Sequence, residues 1–316
     1  MSKAISNTEA LKILQTTSMV ELLEIFKQAS AVREEKFGDE ISTCAIVNAR
    51  SGNCPEDCAY CSQSCRSKAE IEKFQLLSAE EMFKQAQKAE AMGAKRYGIV
   101  TAGRAVNMSK DLDEICKAIK LINENTSIKV CASLGILNKE SLQYLKDAGL
   151  DRYHHNLEAS ESFFPEICTT REFSAQLDTI RYCHEVGLSL CVGGIFGMGE
   201  SLEQRVELLD NIRTAETTSV PINFLTPIDG TPLAGFNDLT PLDCLKITAA
   251  AKLMMPETSI RVCGGREFNL HEYQSWLFAA GVDSIMIGSY LTTSGRSVED
   301  DIQMIKDGGL KVKELE

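Results

Sequence analysis

Basic residues are in short supply: 33 Lys and Arg stand against 45 Asp and Glu, a formal net charge of −12. Phosphate backbones need a basic surface, so no nucleic-acid partner is expected, although a small anion in a local pocket stays open. No apolar run is long enough to cross a bilayer, so no membrane span is expected either. The opening residues, MSKAISNTEALKILQ, lack the basic-then-apolar-then-small order of a secretory leader, and the chain is expected to be cytoplasmic. Low-complexity tracts, short repeats and Gly/Ser linkers are missing. Histidine is scarce, four in 316 residues, and no paired carboxylates or Ser/His/Asp set offers general acid–base or triad chemistry.

What remains is a chain of ordinary apolar and charged content whose length suits one α/β barrel. Residues 1–37 read as an N-terminal helical extension, with a helical stretch over roughly residues 8–35. Residues 38–316 then alternate. Eight β-rich runs, 41-ISTCAIVNA, 95-KRYGIVTA, 127-SIKVCASL, 151-DRYHHNLE, 187-GLSLCVGGIFG, 219-SVPINFLT, 259-SIRVCGG and 282-VDSIMIGS, are separated by helical stretches such as 78-SAEEMFKQAQKAEAMG and 138-NKESLQYLKDAG. A glycine precedes the strand in AMGAKRY, DAGLDRY, EVGLSL and AAGVDSI, as a helix-to-strand joint requires. The expected fold is a (β/α)8 TIM-type barrel with its active site at the C-terminal strand ends.

Cysteine, by contrast, is abundant. Twelve thiols in a reducing compartment read as metal ligands or redox groups rather than disulfides. Cys54, Cys58 and Cys61 form CxxxCxxC in 53-NCPEDCAYCSQSC, just after the first strand. A 4Fe cluster usually takes four thiolates, so three leave one iron open for chemistry. A zinc site would want a second CxxC pair, which is not nearby. A closed ferredoxin-type site would need Cys65, which reads instead as a loop cysteine. Four more cysteines, Cys44, Cys131, Cys191 and Cys263, fall inside strands, and Arg261 shares a face with Cys263. One such cysteine is an ordinary small core residue. Four of them with an arginine, inside a barrel normally filled by Val, Ile and Leu, point to a second buried cluster.

CPEDCAYC resembles the signature of the radical S-adenosylmethionine (SAM) superfamily. Within it, 149-GLDRYHHNLEAS, 169-TTREFSAQLDTI, 191-CVGGIFGMGE, 219-SVPINFLTPIDGTPL, 253-LMMP, 261-RVCGGRE and 291-LTT make the chain similar to biotin synthases over residues 35–295. The resemblance implies sulfur insertion at C9 and C6 of dethiobiotin. A [4Fe-4S] cluster on Cys54, Cys58 and Cys61 and SAM would supply the 5′-deoxyadenosyl radical, and an auxiliary cluster would be the sulfur donor. It implies SAM contacts from Tyr60, Asn156, Glu158, Gln176, Gly193, Gly194 and Ile195. The glycines would let the backbone approach SAM; a tight turn is the plain alternative. It implies dethiobiotin contacts from Asn156 and Asn223 on the ureido ring and from Thr292 and Thr293 on the carboxylate. A flavodoxin or ferredoxin as electron donor and a homodimer are also implied.

Two departures stand out. The family's 2Fe auxiliary cluster uses three strand cysteines and an arginine, but Gly98 replaces the cysteine of the second strand. Cys44 and Cys263 are extra. Cys44, Cys131, Cys191 and Cys263 would give four thiolates, so the expectation is a 4Fe-type auxiliary cluster, with an added sulfide conceivable, and a 2Fe-2S cluster as the alternative. Gln176 stands where the family often has an arginine near the SAM carboxylate. His154 and His155 adjoin Asn156, and one of them is expected to face the substrate. Rival readings are a one-cluster relative, such as a hydrogenase maturase or amino-acid mutase, and a non-enzymatic electron carrier.

Overall fold

A computed structural model describes residues 3–293 and 295–314. Ten strands run in chain order: β1 (Glu40–Arg50), β2 (Arg96–Thr101), β3 (Lys129–Ser133), β4 (Arg152–His154), β5 (Ser189–Cys191), β6 (Gly194–Phe196), β7 (Ser219–Phe224), β8 (Ser259–Val262), β9 (Ser284–Met286) and β10 (Lys311–Val312). Every ladder is parallel, and β9 returns to pair with β1, which closes a (β/α)8 barrel. β10 adds only a short pairing at the start of β1.

β5 and β6 are one barrel stave in two pieces. The run 187–197 reads as continuous in sequence, but Pro221 on the facing strand has no N–H to give the ladder. Around it the backbones press together: a Cβ on Gly193 would lie 1.9 Å from the Pro221 carbonyl oxygen. The register carries through, Cys191 opposite Ser219 and Gly194 opposite Ile222.

Local chemistry sets the helix ends. Ser78 and Asn138 cap the helices Ala79–Ala91 and Lys139–Asp147, each accepting from the backbone N–H three residues on. The glycines of the four helix-to-strand joints, Gly93, Gly149, Gly187 and Gly281, all take positive φ, a conformation that costs other residues a Cβ clash.

The N-terminal helices, Asn7–Gln15 and Met19–Phe37, lie against the helix Pro241–Met254. This explains why that helix is apolar nearly all round, with ten consecutive or near-consecutive positions from Cys244 to Met254 buried. It also buries Lys252, which reaches Asp283 at 3.3 Å and lies over the Phe37 ring. No helix among the described residues is long and apolar enough to cross a membrane.

Candidate active site

One cavity of about 430 Å³ occupies the barrel interior and the loops above it. At its upper end sits the loop after β1. Backbone hydrogen bonds fold this loop onto itself: Cys54 N to Gln63 O, 3.0 Å, and Cys65 N to Cys54 O, 2.8 Å. Cys54, Cys58 and Cys61 all line the cavity. Cys65 is exposed and does not. Burial raises the Cys54 thiol and pushes Cys61 up to about 11. Cys58 rises further, through a hydrogen bond with Cys168 and then burial. Such thiols are costly to ionise alone, and metal ligation is what normally supplies the compensating charge.

At the lower end, Cys44, Cys131, Cys191 and Cys263 line the same cavity, each buried, with Arg261 among them. Arg261 donates from Nε to Ser284 Oγ at 3.0 Å. Burial works against its charge, but the four thiols outweigh it and hold the guanidinium above its ordinary value. A hydrogen bond from Cys263 brings Cys44 down to about 7, and the same bond raises Cys263. Burial opposes the Cys191 thiolate, yet His154, then Arg261 and Arg152, bring it down to about 6. Burial raises Cys131. Among the described residues no three His, Cys, Asp or Glu side chains could hold a single metal ion; a cluster, whose thiolates bind different irons, does not ask that of them.

Gly98 sits beside Cys131 in the ladder and opposite Ile46 on β1. A Cβ there would come within 3.1 Å of Ile46 Cγ2. A side chain on β2 here would have to push Ile46 aside by a few tenths of an ångström.

Between the two ends stand the other expected residues. Tyr60, Asn156, Glu158, Gln176, Ile195, Asn223, Thr292 and Thr293 all line the cavity. Glu158 takes positive φ, 68°, an uncommon state for glutamate that is locked by Ile195 N donating to its carbonyl at 2.8 Å. Burial raises its carboxyl, while Asn156 donates to it at 3.3 Å. Asn223 is already engaged, donating to Gly194 O and accepting from Gly264 N, which leaves one N–H and one lone pair. Thr292 Oγ1 lies 3.1 Å from Ser62 Oγ, next to Cys61.

Gly193 and Gly194 behave differently from expectation: neither lines the cavity. Their missing side chains are required by protein, Pro221 O at Gly193 and Glu158 O with Leu208 at Gly194. Gly197 and Gly199 have positive φ, as a tight turn needs.

Several buried polar atoms have no protein partner: Asn156 Oδ1, Gln176 Oε1, His155 Nε2 and Arg171 Nε. All four residues face the cavity. Unpaired buried polar atoms are expensive, so a polar ligand between the two ends fits them. Gln176 also donates to Asn156 O at 3.0 Å.

Sequence reasoning missed three arginines. Arg171 donates to Cys58 Sγ at 3.4 Å. Arg96 donates to Cys131 Sγ at 3.7 Å, and Arg152 is the direct register partner of Cys131. Only the strand register brings Arg96 and Arg152 to a thiol, and one-dimensional spacing does not contain it.

With this geometry in place, the likenesses to known proteins are specific. Residues 49–212 match the radical SAM superfamily, and residues 221–311 match the Biotin and Thiamin Synthesis associated domain. Biotin synthase of Geotalea uraniireducens is 44% identical over 96% of this chain and 92% of its own. That of Geobacter metallireducens is 46% identical over 95% and 91%. The chain belongs to the biotin synthase family. The two alignments span more than nine-tenths of each chain, and membership of the family brings a [4Fe-4S] cluster and SAM. Solved structures agree on the fold: a methylornithine synthase, TM-score 0.85 over 99% of this chain and 95% of its own at 18% identity. The FeFe-hydrogenase maturase HydG of Carboxydothermus hydrogenoformans gives 0.83 over 98% and 76% at 20% identity.

Proposed function

We propose that the two ends of the cavity hold two iron–sulfur clusters, with SAM and dethiobiotin between them. The enzyme is a radical SAM sulfurtransferase of the biotin synthase family, forming the thiophane ring of biotin from dethiobiotin. The observation that carries the two-cluster reading is the gathering of Cys44, Cys131, Cys191, Cys263 and Arg261 in the cavity whose mouth bears Cys54, Cys58 and Cys61.

When bound, the cofactors supply a 5′-deoxyadenosyl radical, to take hydrogen from C9 and C6, and sulfide. The chain's own work is placement and exclusion. Cys54, Cys58 and Cys61 ligate the first cluster and leave its fourth iron to SAM. Asn156, Glu158, Gln176, Tyr60 and Ile195 hold SAM, and the free Oδ1 of Asn156 and Oε1 of Gln176 support that role. Asn156 and Asn223 hold the ureido ring; Thr292 and Thr293 hold the carboxylate at the rim. Gly193 and Gly194 serve SAM only indirectly, by letting strands approach so that Ile195 faces the cavity. Holding reacting atoms in line is the main catalytic lever here, and a closed barrel keeps water and stray hydrogen donors out.

The auxiliary site is of 4Fe type, ligated by Cys44, Cys131, Cys191 and Cys263. Gly98, which offers no ligand beside Cys131 on the neighbouring strand, supports this. A 2Fe-2S cluster on Cys131, Cys191 and Arg261 is the second reading, supported by Arg261 standing among those thiols. A flavodoxin or ferredoxin delivers the electron, and the enzyme works as a homodimer in the cytoplasm.

Iron and sulfide content with Mössbauer spectra of anaerobically reconstituted protein test this, wild type beside Cys44→Ala and Cys263→Ala. About eight irons, with the auxiliary signal lost in both variants, is the expected result. About six irons with the variants unchanged would favour the 2Fe reading; about four would remove the sulfur donor.

A further inference from the structure

The segment 168-CTTR is absorbed by none of these roles, yet it grips the back of the cluster loop. Ala59 N donates to Ile167 O at 2.9 Å, and Asp57 N to Thr170 Oγ1 at 3.2 Å. Asp57 in turn accepts from the amides of Thr169 and Thr170, at 2.9 and 3.2 Å. Glu56, 2% exposed, accepts from Thr170 Oγ1 at 2.5 Å and lies 3.5 Å from Arg171 and 3.3 Å from Arg104.

The three loop thiols are not treated alike. Burial raises both Cys54 and Cys61; against it, the backbone at Glu56 and Gly103 lowers the Cys54 thiol, and that at Gln63 and Ser64 lowers Cys61. Cys58 is met by a side chain, the Arg171 guanidinium at 3.4 Å. Cys168 lies outside the cavity, 3.4 Å from Thr170 Oγ1 and 3.8 Å from Glu56 Oε2.

We propose that Arg171 sets the reduction potential of the [4Fe-4S] cluster through the sulfur of Cys58, with Glu56 as its counterweight. This rests on Cys58 being a ligand of that cluster. Reduction adds negative charge, part of it on the thiolate sulfurs. A donor on sulfur that is also a permanent cation stabilises the reduced state and raises the potential. Glu56, a buried acceptor beside the same guanidinium, draws on that charge and opposes it. Both act from a poorly solvated pocket, where charges count for more than in water.

The test is a redox titration of anaerobically reconstituted enzyme without SAM, followed by EPR of the reduced cluster, with iron and sulfide measured for each protein. Arg171→Met is expected to move the midpoint more negative, Glu56→Gln more positive, and Arg171→Lys to fall between wild type and the methionine variant. A merely structural clamp would not produce opposite signs from the two halves of one ion pair. Should Arg171→Met fail to hold iron, Arg171→Lys and Glu56→Gln decide by the same signs. Loaded variants with unshifted midpoints, or shifts of one sign, overturn the proposal. Cys58→Ala retaining a full reduced-cluster signal would overturn the ligand assignment itself, and the proposal with it.

Discussion

The two ends of the cavity are built in opposite ways. The upper end takes three thiols from eight consecutive residues, Cys54 to Cys61, on a loop folded by its own backbone. The lower end takes four thiols from β1, β3, β5 and the end of β8, separated by up to 219 positions from Cys44 to Cys263. A local site can form once its loop has formed. A distributed site exists only after β9 has returned to β1, since that closure brings Cys44 toward Cys263. The upper end thus depends on one loop, and the lower end on the whole barrel.

The largest effects should separate the two. Cys58→Ala is expected to abolish both SAM cleavage and biotin formation, by at least about 100-fold, the upper range seen even for indirect metal partners. Cys44→Ala should lose biotin formation to a similar degree yet keep cleaving SAM to 5′-deoxyadenosine. Chromatography of both products from one anaerobic assay reads the difference. Equal loss of both in Cys44→Ala would mean that the ends do not work independently.

The next effect concerns the tie between the rim and the lower end. Arg266 and Asp301 are 1% and 0% exposed and meet through two bonds of 2.8 and 2.6 Å. Arg266 also donates to Met286 O, and Tyr290 Oη to Cys263 O at 3.1 Å. The loop carrying Thr292 and Thr293 is thus fastened to the strand that carries Cys263. Asp301→Asn leaves a buried guanidinium without its counter-charge, expected to cost about 3–5 kcal/mol in urea unfolding. A raised KM for dethiobiotin should accompany it. An unchanged KM would detach the rim loop from substrate holding.

A smaller effect is pH dependence. Burial, then the neighbouring charges of His154 and Arg171, bring His155 down to about 3. The unfolded ring titrates near 6.5, so between these values the unfolded chain binds the extra proton. Stability from this group is complete above pH 6.5 and lost as pH falls, by about 2 kcal/mol at pH 5. His154 shifts the other way, against burial, because of Cys191. Comparing denaturation at pH 7 and 5 in wild type and His155→Gln isolates the term: the variant should show the flatter dependence. Identical slopes would place a charged partner at His155.

The same contrast explains what was legible in sequence. The eight-strand repeat, the glycine joints and the cluster loop are encoded in short windows, and each appeared where its residues said it should. The lower end was legible only in part. Four cysteines in strands could be counted, but nothing in one dimension shows Ile46 crowding Gly98, or Arg152 lying opposite Cys131. Gly193 and Gly194 were ambiguous for a related reason. A glycine wanted by a ligand and one wanted by a neighbouring strand look alike until Pro221 and Glu158 are in position. The break in the fifth stave was hidden likewise, because it belongs to Pro221 on another strand.

Cys65 should show the smallest effect, and it tests the comparison at its root. In sequence it follows the three by four positions, yet it reads as a loop cysteine rather than a ligand. In the fold it is exposed, away from the cavity, and contributes its backbone N–H to Cys54 O. Serine keeps that amide, so Cys65→Ser is expected to change stability by less than about 0.5 kcal/mol, with iron content and SAM binding within error of wild type. Loss of the [4Fe-4S] signal would mean that the loop carries four protein ligands. No iron would then be left for SAM to chelate, and the upper end would be a closed electron-transfer site rather than the place where the reaction begins.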